Sequence, residues 1–295
     1  MPVHQLHEPI LTWYAGAARD LPWRRSDATP WAVLVSEVML QQTPVARVVP
    51  RFQAWMERWP TPSDLAVAAP GEAVRAWGRL GYPRRALRLH EAATAIASRH
   101  GGAVPQHLDD LRALPGVGAY TAAAVASFAF GQRHPVVDTN VRRVLARAVT
   151  GVAQAAPTPH AAESRLAGEL LPENPATAAR WGVAVMEFGA LVCQARVPRC
   201  ADCPIRAGCA WQRSGRRGHA GPTRPGQSYA GTDRQVRGLL LEVLREAAGP
   251  VPRTALDVVW AEPVQRRRAL DGLIADGLVE PWETESLRLP GGPSA

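Results

Sequence analysis

The sequence predicts an all-α chain that ends in a small winged-helix-like module, and three observations carry that prediction. From residue 1 to about 212, helix-length amphipathic runs alternate with short Pro, Gly and Asp breaks, as in Ser63–Val67, Gly71–Leu80, Arg84–Ala97 and Leu108–Leu114. Few segments alternate with the period of two that marks a half-buried strand. From Gln212 to Thr232 the composition turns to Arg, Gly, Pro and Ser, which reads as a linker over 213–232.

The tail over 233–295 reads as helices at Gln235–Ala248, Thr254–Trp260 and Val264–Asp276, followed by a hairpin in Leu278–Leu289. Three helices and a wing form the winged-helix pattern, with Arg266, Arg267 and Arg268 clustered on the third helix. Such a module either contacts DNA or simply packs against its neighbours, and the sequence leaves both open.

At 295 residues and 46% apolar content the chain is long enough to bury a sizeable core. Its N-terminal stretch, Met1 to Arg25, lacks a continuous apolar segment and a small-residue cleavage site, and no apolar run approaches the roughly 18 residues that span a bilayer. A cytoplasmic protein, away from membranes, is expected. The 34 basic and 26 acidic residues leave a charge of +8, which favours a polyanionic partner, although charge alone also describes a merely basic surface. Every basic residue is Arg, and there is no lysine. An amine nucleophile would have to be a lysine or the α-amino group of Met1, so lysine Schiff-base chemistry is excluded.

All four cysteines fall in one stretch, Cys193-x6-Cys200-x2-Cys203-x5-Cys209, with none left over. In a cytoplasmic chain, four clustered thiols hold a metal more often than they form disulfides. Structural zinc usually pairs its ligands in two tight knuckles, whereas here only Cys200 and Cys203 are so paired. The 6-2-5 spacing suits a loop wrapped around a larger object, which favours one [4Fe–4S] cluster over zinc, in a structural role. Arg196, Arg199, Arg206, Arg213, Arg216, Arg217 and Arg224 surround the loop, opposed only by Asp202, and a pinned loop can present them to phosphates.

Leu114-Pro115-Gly116-Val117-Gly118 separates a helical run from the apolar helix Ala119–Phe130 and reads as helix, hairpin, helix. Its glycines permit close approach of main-chain amides, and the following helix offers a positive N-terminus, so the turn can hold a phosphate oxygen. Glycine-rich turns also occur between helices with no such duty.

Two carboxylates stand out. Glu37 lies inside the apolar helix Trp31–Thr43, where Val33, Glu37 and Gln41 share a face. A desolvated carboxyl keeps its proton to higher pH, as a general acid must, but the segment alone is read more simply as a Glu that reaches solvent from a half-exposed helix. Asp138 precedes a helix that begins near Asn140, where capping is its simplest role. Together they fit the cleavage of a C–N glycosidic bond, in which one acid protonates the departing base and one anion offsets charge on an oxocarbenium-like sugar.

With these residues in view, the sequence resembles the helix-hairpin-helix, iron–sulfur DNA glycosylases of the endonuclease III superfamily, and within them the MutY-type adenine DNA glycosylases. The resemblance covers residues 10–212. It rests on Leu21-Pro-Trp-Arg24, Ser36-Glu-Val-Met-Leu-Gln-Gln-Thr43, Trp77-Gly-Arg-Leu-Gly-Tyr82, Leu114-Pro-Gly-Val-Gly-Ala-Tyr-Thr121, Val137-Asp-Thr-Asn-Val-Arg-Arg143 and the cysteine spacing.

The resemblance implies a glycosylase core over 1–212, with a six-helix barrel over 21–132 and an iron–sulfur lobe from 1–20 and 133–212. It implies base excision repair of adenine opposite 8-oxoguanine or guanine, by a monomer associated with the nucleoid and acting on double-stranded DNA. Glu37 is implied as the residue that protonates adenine at N7, and Asp138 as the one that stabilises the sugar cation or its covalent adduct. Tyr120 and Asn140 are implied to orient Asp138 and the water. Gln42 and Tyr82 are implied to fill or wedge the base stack once adenine is flipped out. Leu114, Gly116, Val117, Gly118, Arg196 and Arg199 are the expected backbone contacts.

Endonuclease III places a lysine where Tyr120 stands and lacks a counterpart of Glu37. A mismatch thymine or uracil glycosylase shares both residues, and the Met39-Leu-Gln-Gln-Thr43 string favours adenine. A non-catalytic iron–sulfur DNA-binding protein is the remote alternative. Two departures stand out: family members carry a C-terminal Nudix-like domain that reads 8-oxoguanine, for which the tail over 233–295 is too short, and Pro83 replaces an expected aromatic after Tyr82.

Overall fold

The computed structural model describes residues 4–216, 218 and 229–291. Arg217, Arg224 and most of the linker-like stretch lie outside them. Twelve α-helices precede the C-terminal module among the described residues: α1 (His4–Ala17), α2 (Pro30–Leu40), α3 (Val45–Arg58), α4 (Pro62–Ala66), α5 (Pro70–Trp77), α6 (Arg84–Arg99), α7 (Leu108–Ala113), α8 (Ala119–Phe130), α9 (Thr139–Leu145), α10 (Ala161–Glu169), α11 (Pro175–Leu191) and α12 (Ala210–Arg213). The module contains α13 (Asp233–Glu246), β1 (Val251–Pro252), α14 (Arg253–Asp257), α15 (Pro263–Ala275), β2 (Glu280–Trp282) and β3 (Ser286–Arg288). Among the described residues no helix is long and apolar enough to cross a membrane.

Two compact units emerge from the contacts, one from described residues of 1–33, 106–112 and 118–223, the other from those of 34–105, 113–117 and 224–295. In the first, α11 is apolar through most of its length and packs on α1, α8 and α9. Leu6 and Ile10 of α1, Val141 and Val144 of α9, and Trp181, Val185 and Phe188 of α11 form its core, with Trp13 edge-on to Phe188. One buried charge sits in that helix: Glu187, with no exposed surface, takes a two-pronged bond from Arg19 at 2.6 Å and a second cation from Arg24 at 3.0 Å. Burial opposes ionisation there, but the Arg19 hydrogen bonds and the two cations hold the Glu187 carboxyl below its ordinary range. The Leu21-Pro-Trp-Arg24 string thus anchors a buried ion triad.

The second unit is built on α3 to α6. Trp55 meets Trp59 and Trp77 edge-on at 4.7 and 5.9 Å, a packing mode that adds to simple area burial. Thr61 and Asp64 cap α4 reciprocally, and Pro70 opens α5. The helix expected to run to Leu80 stops at Trp77, because Gly78 turns to a positive φ of 54°.

The C-terminal module follows the winged-helix order, with an antiparallel sheet β1-β3-β2 and register Val251↔Leu287 and Trp282↔Ser286. Arg266 is tied to Asp257 and Arg268 to Asp233, so two of the three clustered arginines are neutralised inside the module. The module also docks on α5. Arg75 donates to the Ala247 carbonyl at 2.8 Å and to that of Arg245, Arg245 donates to the Val74 carbonyl at 3.0 Å, and the Gly71 amide donates to the Pro290 carbonyl at 2.7 Å.

A Cβ on Gly71 would stand 2.7 Å from that Pro290 oxygen, inside van der Waals contact with main chain that cannot swing away. Gly71→Ala is expected to destabilise the fold by about 1–3 kcal/mol through overpacking. The readout is a lower urea midpoint together with earlier proteolytic loss of the tail; an unchanged midpoint would contradict this docking.

Candidate active site and cysteine loop

In the first unit the chain leaves α11 in a tight turn in which the Cys193 amide bonds the Phe188 carbonyl and the Arg199 amide returns to the Val192 carbonyl. Cys200 opens a single 3-10 turn, Cys200–Asp202, and Cys209 sits at the N-cap of α12. All four cysteines line one cavity, whose other walls are mainly Val144, Phe188, Val192, Ile205 and Trp211. No His, Asp or Glu shares that lining. Four thiols without another ligand type are the soft donor set that a metal–sulfur group takes.

The loop is held by a buried cation. After α9 the helix loosens into a π-helical turn, Ala146–Thr150, which presents Arg147 to the loop. Its guanidinium donates to the carbonyls of Ala153, Gln194, Ala195 and Cys193, lies 3.5 Å from the Cys193 sulfur, and stacks over Trp211 at 4.8 Å. Burial pushes the Cys203 thiol up to about 12 and also raises Cys193, even with Arg147 and Arg143 beside it.

Asp138 is the N-cap of α9, as its position before Asn140 suggests: Oδ1 accepts the Val141 amide at 2.6 Å, and Oδ2 accepts the Asn140 side-chain amide at 2.7 Å. Asn140 in turn accepts a 2.7 Å bond from Arg143, whose guanidinium also reaches the carbonyls of Gly189 and Cys193. A continuous hydrogen-bonded chain therefore runs from Asp138 to the cysteine loop. Desolvation raises the Asp138 carboxyl above its ordinary range despite the opposing bonds from Val141 and Asn140. Tyr120, in the first turn of α8, is half-buried against the apolar cluster of Ala123, Ala124 and Val136.

In the second unit Glu37 is buried, at 6% exposed, which removes the solvent-reaching alternative that its segment left open. Helix α2 ends at Leu40 rather than Thr43, since Gln42 adopts a left-handed φ of 54°. Tyr82 does the same at φ 48° and is half-exposed. Non-glycine residues held there cost roughly 1–3 kcal/mol each, and such strain gathers at functional sites. Gln42 and Tyr82 line one concave site with Gln41, Arg84, Arg85 and Arg88.

The hairpin buries Leu114 and Val117, closes with a Val117 amide to Leu114 carbonyl bond, and leaves Gly118 exposed. Gly118 is the N-cap of α8 and, as a glycine, offers that helix no side-chain bond. Of the arginines beside the cysteine loop, Arg196 is exposed and Arg199 lies 3.4 Å from Asp202. Sequence reasoning missed Arg85, Arg143 and Arg147, whose partners are carbonyls distant in the chain, a pairing that leaves no local pattern.

Residues 35–170 match the family described as HhH-GPD superfamily base excision DNA repair protein. The chain is 53% identical over 291 residues to an adenine DNA glycosylase of Mycobacterium tuberculosis, covering 98% of this chain and 95% of that one. It is 56% identical over 273 residues to an adenine DNA glycosylase of Mycolicibacterium smegmatis, covering 92% and 91%. Among solved structures, a thermostable thymine-DNA glycosylase superposes with a TM-score of 0.66 at 29% identity, over 72% of this chain and 97% of its own.

Two stability experiments check this geometry. Gly116 has φ 75°, and a Cβ there would stand 2.7 Å from Cβ of Arg88, whereas a Cβ on Gly118 meets open space. Gly116→Ala should therefore destabilise by about 1–3 kcal/mol and Gly118→Ala by well under about 1 kcal/mol, read as unfolding midpoints. Equal losses would contradict the hairpin geometry.

The second concerns Asp138. With its folded pKa raised above 3.8, the folded chain retains a proton over a window where the unfolded chain has lost it, so stability falls as pH rises through that window. The stability of Asp138→Asn relative to the parent should thus increase with pH in that window and then level off. A relative stability that declines with pH would show the opposite shift.

Proposed function

Because this chain belongs to the adenine DNA glycosylase family, we propose that it hydrolyses the N-glycosidic bond of adenine mispaired with 8-oxoguanine or guanine in double-stranded DNA, as a monofunctional, monomeric enzyme of base excision repair. One observation carries the chemical part: Glu37, a carboxyl withdrawn from water inside an apolar helix. A general acid needs such a setting, and the protonated Glu37 delivers its proton to N7 of adenine, making the base a neutral leaving group.

Asp138 supplies the anion. Its carboxylate is destabilised by burial in the free protein, and that penalty is relieved only as positive charge grows on the sugar, so the interaction strengthens toward the transition state. Asn140 fixes the orientation of the carboxylate, and Tyr120 orients Asp138 and the attacking water from α8. With no lysine in the chain, the product is an intact abasic strand. Gln42 and Tyr82 occupy the stack vacated by the flipped adenine, while the hairpin amides at 114–118, Arg196 and Arg199 take backbone phosphates.

Cys193, Cys200, Cys203 and Cys209 would hold a [4Fe–4S] cluster as thiolates, in the cavity that all four line. When bound, it supplies iron–thiolate bonds that pin the loop. Arg147 and Arg143 organise the same loop from the protein side. The match to the M. tuberculosis protein runs through the C-terminal module, so that short module accompanies adenine DNA glycosylases other than this one. The likeness to a thymine-DNA glycosylase favours a second reading, excision of thymine from mismatches with guanine.

A single-turnover assay over duplexes with adenine opposite 8-oxoguanine, adenine opposite guanine and thymine opposite guanine tests the proposal. The expected product is an abasic site in the adenine duplexes, cleaved only after alkali; efficient nicking without alkali would sink the monofunctional reading, and preferred loss of thymine would support the second. Glu37→Gln should slow excision by at least about 10²-fold with duplex affinity largely kept, as for loss of a general acid. Retained excision would remove Glu37 from the mechanism. Iron analysis together with a visible absorption band separates the cluster from zinc.

A further inference from the structure

Arg85 lies in the first turn of α6, between the end of α2 and the turn that follows α5. Its guanidinium donates to the carbonyls of Val38 at 2.8 Å, Met39 at 3.3 Å and Gln41 at 2.6 Å, and also to the Thr43 hydroxyl at 3.1 Å and the Gly81 carbonyl at 3.0 Å. The rings of Trp77 and Tyr82 lie 5.2 and 5.5 Å away. No carboxylate is among these partners. Burial draws its pKa down to about 10, so the group is charged at neutral pH and is held by dipoles and rings.

These contacts bracket two residues. Gln42 lies between Gln41 and Thr43, and Tyr82 directly follows Gly81; both belong to the few non-glycine residues with positive φ among the described residues. Left-handed backbone at a glutamine and a tyrosine persists only where surrounding bonds over-determine it. Arg85 supplies those bonds to both loops at once, and both side chains border the same concave site.

We propose that Arg85 is a positioning residue that locks Gln42 and Tyr82 into one preformed wedge, so that opening the base stack requires no reordering of either loop. The proposal rests on the reading of Gln42 and Tyr82 as the residues that enter the stack. A planar fork with five donors can bridge two loops in this way, and a lysine ammonium, a compact point charge, cannot. Preorganisation of this kind lowers the ordering cost of binding and fixes the geometry in which the reaction starts.

The test compares the full-length parent, Arg85→Lys, the double variant Gln42→Ala/Tyr82→Ala and the combined triple variant. Three readouts are taken: thermal midpoint, single-turnover excision at saturating enzyme, and fluorescence of 2-aminopurine placed beside the mispaired adenine, which reports unstacking without requiring chemistry. Arg85→Lys is expected to lose about 10- to 100-fold in excision rate, as for a misplacement near 1 Å, and most of the fluorescence rise. In the double-variant background the same change is expected to add less than about 3-fold, since the two act through one element.

Parent-like rates and fluorescence in Arg85→Lys would overturn the proposal. So would an equal loss in both backgrounds, which is the behaviour of a residue that merely caps α2. If Arg85→Lys does not fold, Thr43→Val removes one acceptor and keeps the cation; a smaller loss with the same background dependence supports the lock, and parent-like behaviour overturns it. Failure of the parent to excise adenine would refute the glycosylase reading instead, while the fluorescence arm still scores Arg85.

Discussion

The guanidinium of Arg147, buried against Trp211 and bonded to four main-chain carbonyls, is the interaction on which the cysteine loop of the first unit depends. The loop from Cys193 to Cys209 contains a single 3-10 turn and no strand; its own amides reach the carbonyls of Pro198, Arg199, Cys203 and Arg206, while those of Cys193, Gln194 and Ala195 are met by Arg147. A buried carbonyl without a donor is costly, and a guanidinium with five donors satisfies several from one point. Arg143 extends the same solution to Gly189 and Cys193 and ends on Asn140, which holds Asp138. The position of one carboxylate is therefore tied to the conformation of the cysteine loop. Arg85 and Arg75 apply the same device in the second unit.

Much of the fold was legible because it is periodic. Helices α4, α6, α7 and α8 fall close to the runs read from apolar spacing, and the three helices and hairpin of the tail are where the pattern placed them. The ends of helices were harder to read. Trp31–Thr43 and Gly71–Leu80 looked continuous, yet Gln42 and Gly78 break them by turning to positive φ, and a glutamine gives no warning of that. Strand β1, confined to Val251 and Pro252, is too short to show alternation, and the π-helical turn after α9 has no compositional mark.

The site was legible where chemistry is local and hidden where it is not. The cysteine spacing, the hairpin glycines and the capping position of Asp138 can each be read from neighbouring residues. The burial of Glu37 was not readable, because helix composition does not say which face meets water. The pairing of Glu187 with Arg19 and Arg24, from opposite ends of the core sequence, and of Arg266 and Arg268 with Asp257 and Asp233, was equally invisible. The last case matters for function: a basic helix that could face DNA has two of its three charges already satisfied.

Asp138 is where the proposed reaction draws most directly on the structure. Its desolvation raises the free energy of the anion in the resting protein, a penalty that the cap of α9 and the Asn140 bond only partly offset. In the proposed reaction a developing sugar cation would relieve that penalty in a low-dielectric site, where the attraction is far stronger than in water. The most direct measurement of this claim is the ratio of dissociation constants for two duplexes, one carrying a cationic pyrrolidine and the other a neutral tetrahydrofuran in place of the target sugar. Tighter binding of the cationic duplex by about 10²-fold or more is predicted, as for a transition-state mimic. Equal affinities would contradict the assignment of Asp138 as the anion that meets the sugar cation.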